Sequence, residues 1–435
     1  MRETERTHCA LGDVADTNPE ALPGNTPRGA RFRYIDISAV EAGFINWGAV
    51  TETTFGSAPS RARRIVKAFD VLFGTVRPNL KSHGFIDSEE AGPLVASTGF
   101  SVVRARVGLS HPSYLFHSLM SDHVKAQAVR DAVGSSYPAL NDSDVKRFQI
   151  FLPPYREQQK IAQILDTLVA AIHETEAITA KLTALKQGLL HDLLTQGIEA
   201  NGELRPRQSE APHHYKESPL GWIPKEWEIA TLEAVSATVT SGSRDWARFY
   251  ADSGALFVRI GNLTREHINF RFDSTIYVRP PRNADGQRTR LESGDILISI
   301  TADLGIVGVV PDGMGEAYIN QHVALVRPSL SAVNPRFVGH YLASPVAQAY
   351  ISKLNDAGAK AGLTLPTVRG LLTVRPARTE QDLIADRLDK IDHCIRNSKT
   401  ESAKLRELKA GLMGDLLGGR VRVTPLLATE QEGST

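Results

Sequence analysis

The chain has 435 residues, enough for two or three domains, and its 42% hydrophobic and 23% charged content is that of an ordinary globular protein. A formal net charge of +1 shows no basic excess, so any nucleic-acid role must rest on local patches. Two distant cysteines, Cys9 and Cys394, exclude a disulfide framework and fit a reducing cytoplasm; the polar start Met1-Arg2-Glu3-Thr4-Glu5-Arg6 is no signal peptide, and the most apolar run, 295–310, is too short and too charged to span a bilayer.

In chain order, residues 1–155 read as a globular domain. It has β-like runs at 69–76 and 100–104 and a helical stretch at 112–129. Residues 156–198 read as one long helix, because Ile161, Leu165, Leu168 and Ile172 step by four, three and four, and Leu182, Leu185, Leu189 and Leu193 resume the stripe. Pro153-Pro154 bars upstream extension and Gly197 is a natural stop. A polar linker at 199–218 holds Pro206 and Pro212. A second globular domain, 219–378, opens Pro219-Leu220-Gly221-Trp222-Ile223-Pro224-Lys225-Glu226-Trp227, with strands expected at 255–260, 295–300 and 322–326 and a helix at 335–354. Residues 379–418 read as a second long helix, with Ile384, Leu388, Ile391 and Ile395, then Leu405, Leu408, Leu412 and Leu416 on one face. Both stripes break midway, at Thr175-Glu176 and at Ser398-Lys399, and residues 419–435 read as a loose tail. The expected class is mixed α/β (α+β), two globular domains joined by two long paired helices in an internally repeated, pseudo-two-fold arrangement.

The repeat organises this reading. Shifted by about 223 positions, residues 161–198 fall on 384–421 without a gap. Ile161, Ala162, Leu165 and Asp166 meet Ile384, Ala385, Leu388 and Asp389; Leu185, Lys186, Gly188 and Leu189 meet Leu408, Lys409, Gly411 and Leu412. Upstream, Glu157-Gln158 meets Glu380-Gln381, and His117 meets His340. The stretches 31–96 and 256–318 hardly match. Helices that match while globular parts diverge suit a shared mechanical task beside two different reading tasks. A helix of 38 residues is about 57 Å long. It cannot hide its apolar seam alone, so the two helices are expected to pack together as a stiff rod between the domains, and the seam residues Leu165, Leu168, Ile172, Leu182, Leu185, Leu189, Leu388, Ile391, Ile395, Leu405, Leu408 and Leu412 are the expected partner-binding positions.

With the repeat, the helices and these openings in hand, the chain resembles the specificity subunits of type I restriction-modification systems. The matching words are Phe32-Arg33-Tyr34-Ile35-Asp36-Ile37-Ser38, Ile150-Phe151-Leu152-Pro153-Pro154-Tyr155-Arg156-Glu157-Gln158-Gln159-Lys160-Ile161, Lys186-Gln187-Gly188-Leu189-Leu190, the 221–227 opening, Val258-Arg259-Ile260-Gly261-Asn262 and Ile319-Asn320-Gln321-His322-Val323. Each is weak alone; their order and repetition cover almost the whole chain. The resemblance implies two target recognition domains, each reading half of a split DNA site. It also implies helices that fix the gap and dock two methyltransferase subunits, which motor-nuclease restriction subunits join. S-adenosylmethionine, ATP and Mg would then serve the partner subunits, with no cofactor, metal or catalytic residue in this chain.

Two motifs invite a different reading. Leu152-Pro153-Pro154-Tyr155 looks like an adenine methyltransferase motif, but that chemistry needs a polar residue before the prolines to bond the amino group, and leucine cannot do so. It reads as a strand-to-helix joint. Gly358-Ala359-Lys360-Ala361-Gly362-Leu363-Thr364 has the wrong spacing for a phosphate loop and reads as a flexible loop. The thirteen histidines show no zinc spacing, and His213-His214 reads as solvated.

The residues expected to touch DNA follow from chemistry, since no motif transfers them. Arg61, Arg63, Arg64 and Lys67 form a basic cluster suited to phosphates, the plain alternative being a solvated helix face. Arg77, Asn79 and Lys81 lie in a loop, and Ser136-Tyr137 in a second loop. In the other domain the candidates are Ser241, Ser243, Arg244, Thr301, Asn320, Gln321 and Lys360. Three rival readings stay open. One is a stand-alone adenine DNA methyltransferase, which lacks a cofactor fingerprint here. Another is a coiled-coil scaffold with two protein-binding heads. The last is the specificity part of a simpler methylase complex without the motor.

Overall fold

A computed structural model describes residues 8–87, 92–280, 284–301, 303–356 and 362–432. The chain divides into two units, Met1–Glu176 with Thr400–Thr435, and Ala177–Lys399. Each unit therefore holds one globular domain, the near half of the long helix that follows it and the far half of the other.

In the first unit, Ala15–Thr17, Phe100–Ala105, Val71–Gly74 and Gly84–Phe85 form an antiparallel sheet in that order. A second sheet runs Thr51–Thr54, Arg31–Ile35, Leu94–Ser97, Ala62–Val66, with its middle pair parallel. Period-two alternation explains the layering. Val71 and Phe73 enter a core shared with Leu115, Leu119 and Val124 of the short helices. Leu72 enters the other core, shared with Ile35 and Leu94 of the second sheet. The run 100–103 is buried on both faces, as a strand between two cores must be. His8–Ala10 pairs with Gln149–Phe151 and closes the domain just before the helix.

The second unit repeats the plan. Ser236–Ser241, Val323–Pro328, Ile296–Ser299 and Val307–Val309 make the antiparallel sheet. Tyr250–Ala251, Tyr277–Val278, Ala255–Val258 and Ala317–Ile319 make the other, with its last pair parallel. Glu228–Thr231 pairs with Leu372–Arg375 as the closing pair. Ile296 and Ile298 face one core while Leu297 faces the other. The linker adds a hairpin, Tyr215–Ser218 with Gly221–Pro224.

Where one helix was expected at 112–129, there are two, Pro112–Met120 and Asp122–Asp131. Ser121 is extended between them and caps the second through Val124 N at 3.3 Å. Ser344 separates Pro335–Ala343 from Pro345–Asp356 in the same way, and Pro345 at the first turn forbids continuation.

The long helices span Tyr155–Thr195 and Arg378–Leu416. In the first unit Ile161, Ala162 and Leu165 pack with Leu416, Leu417 and Val423. In the second, Leu190, Leu193 and Leu194 share a core with Ile384, Ala385 and Leu388. The midway break in the apolar stripe is polar contact: Glu176 takes Arg406 and Ser402 in the first unit, and Thr179 meets Ser398 at 2.8 Å in the second. Residues beyond Leu417, expected to be loose, begin with an anchor. Arg422 grips Glu157 at 2.6 and 2.8 Å, and Val423 is buried. Among the described residues no helix is long and apolar enough to cross a membrane.

Candidate nucleic-acid interface

Equivalent hydrogen bonds hold two loops together in each domain. Thr75 N donates to Gly99 O at 2.9 Å, and Leu140 N to Thr75 O at 3.0 Å. In the second domain Ile300 N donates to His322 O at 2.9 Å, and Leu363 N to Ile300 O at 3.0 Å. The sheets thus present the same loop positions twice, and the side chains on them differ.

In the first domain this scaffold brings Arg77, Ser136 and Tyr137 together, with Asn79 two residues on from Arg77. Arg77 is left-handed, with φ of 49°. Its N–H donates to Pro138 O at 2.8 Å, its guanidinium lies 4.3 Å over the Tyr137 ring, and it reaches Ser136 O at 3.4 Å. Arg77, Asn79, Ser136 and Tyr137 are all exposed. Lys81, also left-handed, instead ties its loop to the helices, donating to Met120 O at 2.8 Å and Asp122 at 3.1 Å.

The basic cluster at 61–67 lies along the strand Ala62–Val66, which rules out the helix-face alternative. Alternation puts Arg63 and Arg64 on opposite faces. Arg61 is exposed just before the strand; Arg63 lies 4.9 Å over Phe55; Arg64 pairs with Asp142 at 3.3 Å; Lys67 pairs with Glu20. Two of the four charges are thus matched by acids within the domain. Arg104 holds fully buried Asp70 through two bonds of 2.7 Å, and Arg327 repeats this with Asp295 at 2.8 Å. Burial pushes the Asp295 carboxyl up despite Arg327 beside it.

In the second domain Ser241, Ser243, Thr301, Asn320 and Gln321 converge. Ser243 and Asn320 form a parallel bridge, and a Cβ at Gly242 would sit 2.1 Å from Asn320 O, so the approach requires glycine there. Arg288 fastens this loop through Ser241 O and Ser243 Oγ. His322 bridges Thr301 and Gln321, with Gln321 Nε2 at 3.0 Å from its Nε2. Arg244 is exposed at the same loop, and Lys360 lies outside the described residues. Arg288 and His322 were missed by sequence reasoning. Arg288 carries no motif; His322 sits inside the word 319–323 but has no spacing that marks it.

The helix residues named for partner contact divide by burial. Leu165, Ile172, Leu388, Ile391 and Ile395 are buried. Leu168, Leu182, Leu189, Leu405 and Leu412 are half-buried. Leu185 is 55% exposed and its repeat mate Leu408 is 51% exposed. Each domain is also latched to its helix. Buried His117 and Ser113 bond Asp166; buried His340 and Arg336 bond Asp389. Burial alone would raise the Asp389 carboxyl, but these bonds outweigh it and hold it at about 2. Gln158 donates to Pro153 O at 2.9 Å and Gln381 to Pro376 O at 2.8 Å, so the proline joint is a strand-to-helix corner in both units. Among the described residues no three His, Cys, Asp or Glu side chains gather as a metal site.

The sequence pattern of the type I restriction modification DNA specificity domain matches residues 71–184 and 224–407. The type I restriction enzyme MjaVIII specificity subunit of Methanocaldococcus jannaschii is 25% identical over 323 residues, 72% of this chain and 71% of that protein. The HindI specificity subunit of Haemophilus influenzae is 20% identical over 439 residues, 87% of this chain and 94% of that one. In fold, the type I S subunit from M. genitalium matches with a TM-score of 0.61 at 14% identity, covering 96% of this chain and 98% of that one. With both copies of the repeat matched, the chain belongs to the specificity subunits of type I restriction-modification systems, and is a non-catalytic recognition subunit.

Proposed function

We propose that this chain selects a bipartite duplex DNA target. The loops around Arg77 and Tyr137 read one half-site, and the loops around Ser243, Thr301 and Gln321 read the other. Its helices dock two methyltransferase subunits, which motor-nuclease restriction subunits join, and S-adenosylmethionine, ATP and Mg serve those partners. The observation that supports this best is one scaffold built twice, with its loops tied by equivalent hydrogen bonds and carrying unlike side chains. Arg77 and Tyr137 stand in one copy; Thr301 and Gln321 stand in the other. Arginine and glutamine are side chains that read guanine and adenine edges in the major groove.

A competition gel shift with cognate and random duplex tests it. A DNA reader binds both with an affinity that falls as salt rises, and keeps a cognate preference at high salt. A protein scaffold shows no shift at any salt. Methyl transfer from labelled S-adenosylmethionine by the pure chain would instead reveal an enzyme.

A further inference from the structure

We infer that His322 is a positioning residue that holds the Gln321 amide in the one orientation able to pair with adenine. This rests on the reading that the second domain's loops face DNA. An N–N contact needs one donor, and at 3.0 Å the Gln321 Nε2 hydrogen meets the lone pair on His322 Nε2. The neutral ring then carries its proton on Nδ1, which donates to Thr301 Oγ1. His322 is itself fixed through its backbone, N–H to Asn320 Oδ1 at 3.2 Å and carbonyl from Ile300 N at 2.9 Å. One amide hydrogen of Gln321 is thereby engaged.

What remains on the amide is Oε1 and the hydrogen on its own side, an acceptor beside a donor. That pair matches the N6 donor and N7 acceptor of adenine in the major groove. A flipped amide would turn its oxygen to the ring and reverse the order of acceptor and donor along its free edge, out of register with an adenine held in the same frame. Thr301, accepting from the imidazole, keeps its hydroxyl hydrogen to donate. The three half-buried side chains form a relay in which the sense of one bond sets the sense of the next.

The test maps methylated adenines across the host genome in strains carrying the chain as wild type, His322→Leu, His322→Gln or Thr301→Val. The wild type is expected to give a split motif with adenine fixed at one position of the second half-site. His322→Leu and Thr301→Val should relax that one position by about tenfold and leave every other position fixed. His322→Gln, whose Oε1 can accept the same hydrogen, should keep it. A motif unchanged in His322→Leu, or weakened evenly at all positions, overturns the positioning role. Thr301→Val guards against a His322→Leu chain that fails to fold, because it leaves the imidazole in place. A wild type that directs no split motif overturns the DNA-reading function itself, a distinct failure.

Discussion

His340 Nε2 lies 2.8 Å from Asp389 Oδ1, joining a buried helix of the second domain to the long helix beneath it. His117 and Asp166 make the same bond at 2.7 Å in the first unit. Asp389 is depressed to about 2 from its ordinary 3.8. Because the folded value lies below the unfolded one, the latch stabilises fully above about pH 4 and is lost as pH falls through about 2. Asp389→Asn should therefore cost about 2 kcal/mol at neutral pH. The gap to wild type should close as pH drops toward 2. Urea unfolding followed by tryptophan fluorescence reads this well, since Trp222, Trp227 and Trp246 all lie in the second unit.

Glu380 is the second anchor. Its carboxylate accepts from Arg205, from Ile198 N at 2.8 Å and from Trp227 Nε1 at 3.2 Å, all nearly buried. Glu380→Ala strands a buried guanidinium and an indole N–H, so a loss of about 3–5 kcal/mol is expected. The same fluorescence titration checks it. The equivalent contact in the first unit is Glu157 with Arg422. Truncation after Leu417 should loosen the start of the first long helix, seen as faster amide exchange over 155–165.

Arg77→Ala should change binding at the first half-site alone. If the guanidinium reads a base, competition with random duplex shows lost discrimination there; a phosphate contact shows even weakening. Tyr137→Leu, which removes the ring 4.3 Å from that guanidinium, should act in the same direction and less strongly.

Leu185 and Leu408 are half exposed at the same repeat position. Leu185→Asp and Leu408→Asp should leave the chain's unfolding within about 0.5 kcal/mol of wild type. They should reduce co-purification of a methyltransferase subunit, if that partner covers these faces. Full retention of the partner by the double variant would place the docking surface elsewhere.

Much of the architecture was legible in sequence because it is periodic. The stripe from Ile161 and its copy from Ile384 give both long helices, and Pro153-Pro154 bounds the start of the first. The break at Ser121 was not legible, since 112–129 reads as continuous until the serine caps a new turn. The latches were half visible. His117 with His340, and Asp166 with Asp389, keep one offset, but periodicity cannot say that residues 49 apart in sequence touch. The candidate site behaved likewise. Arg77 and Tyr137 were each chosen for chemistry, and only the fold joins them. Arg64 and Lys67 looked free in sequence because their acids, Asp142 and Glu20, come from distant segments.

The most direct measurement compares methylated adenines genome-wide in the host with and without this gene. A chain that selects DNA through two unlike heads predicts one split motif that disappears on deletion, and whose second half alone changes when residues 219–378 are exchanged for those of a relative. A methylation pattern identical in both strains would contradict it.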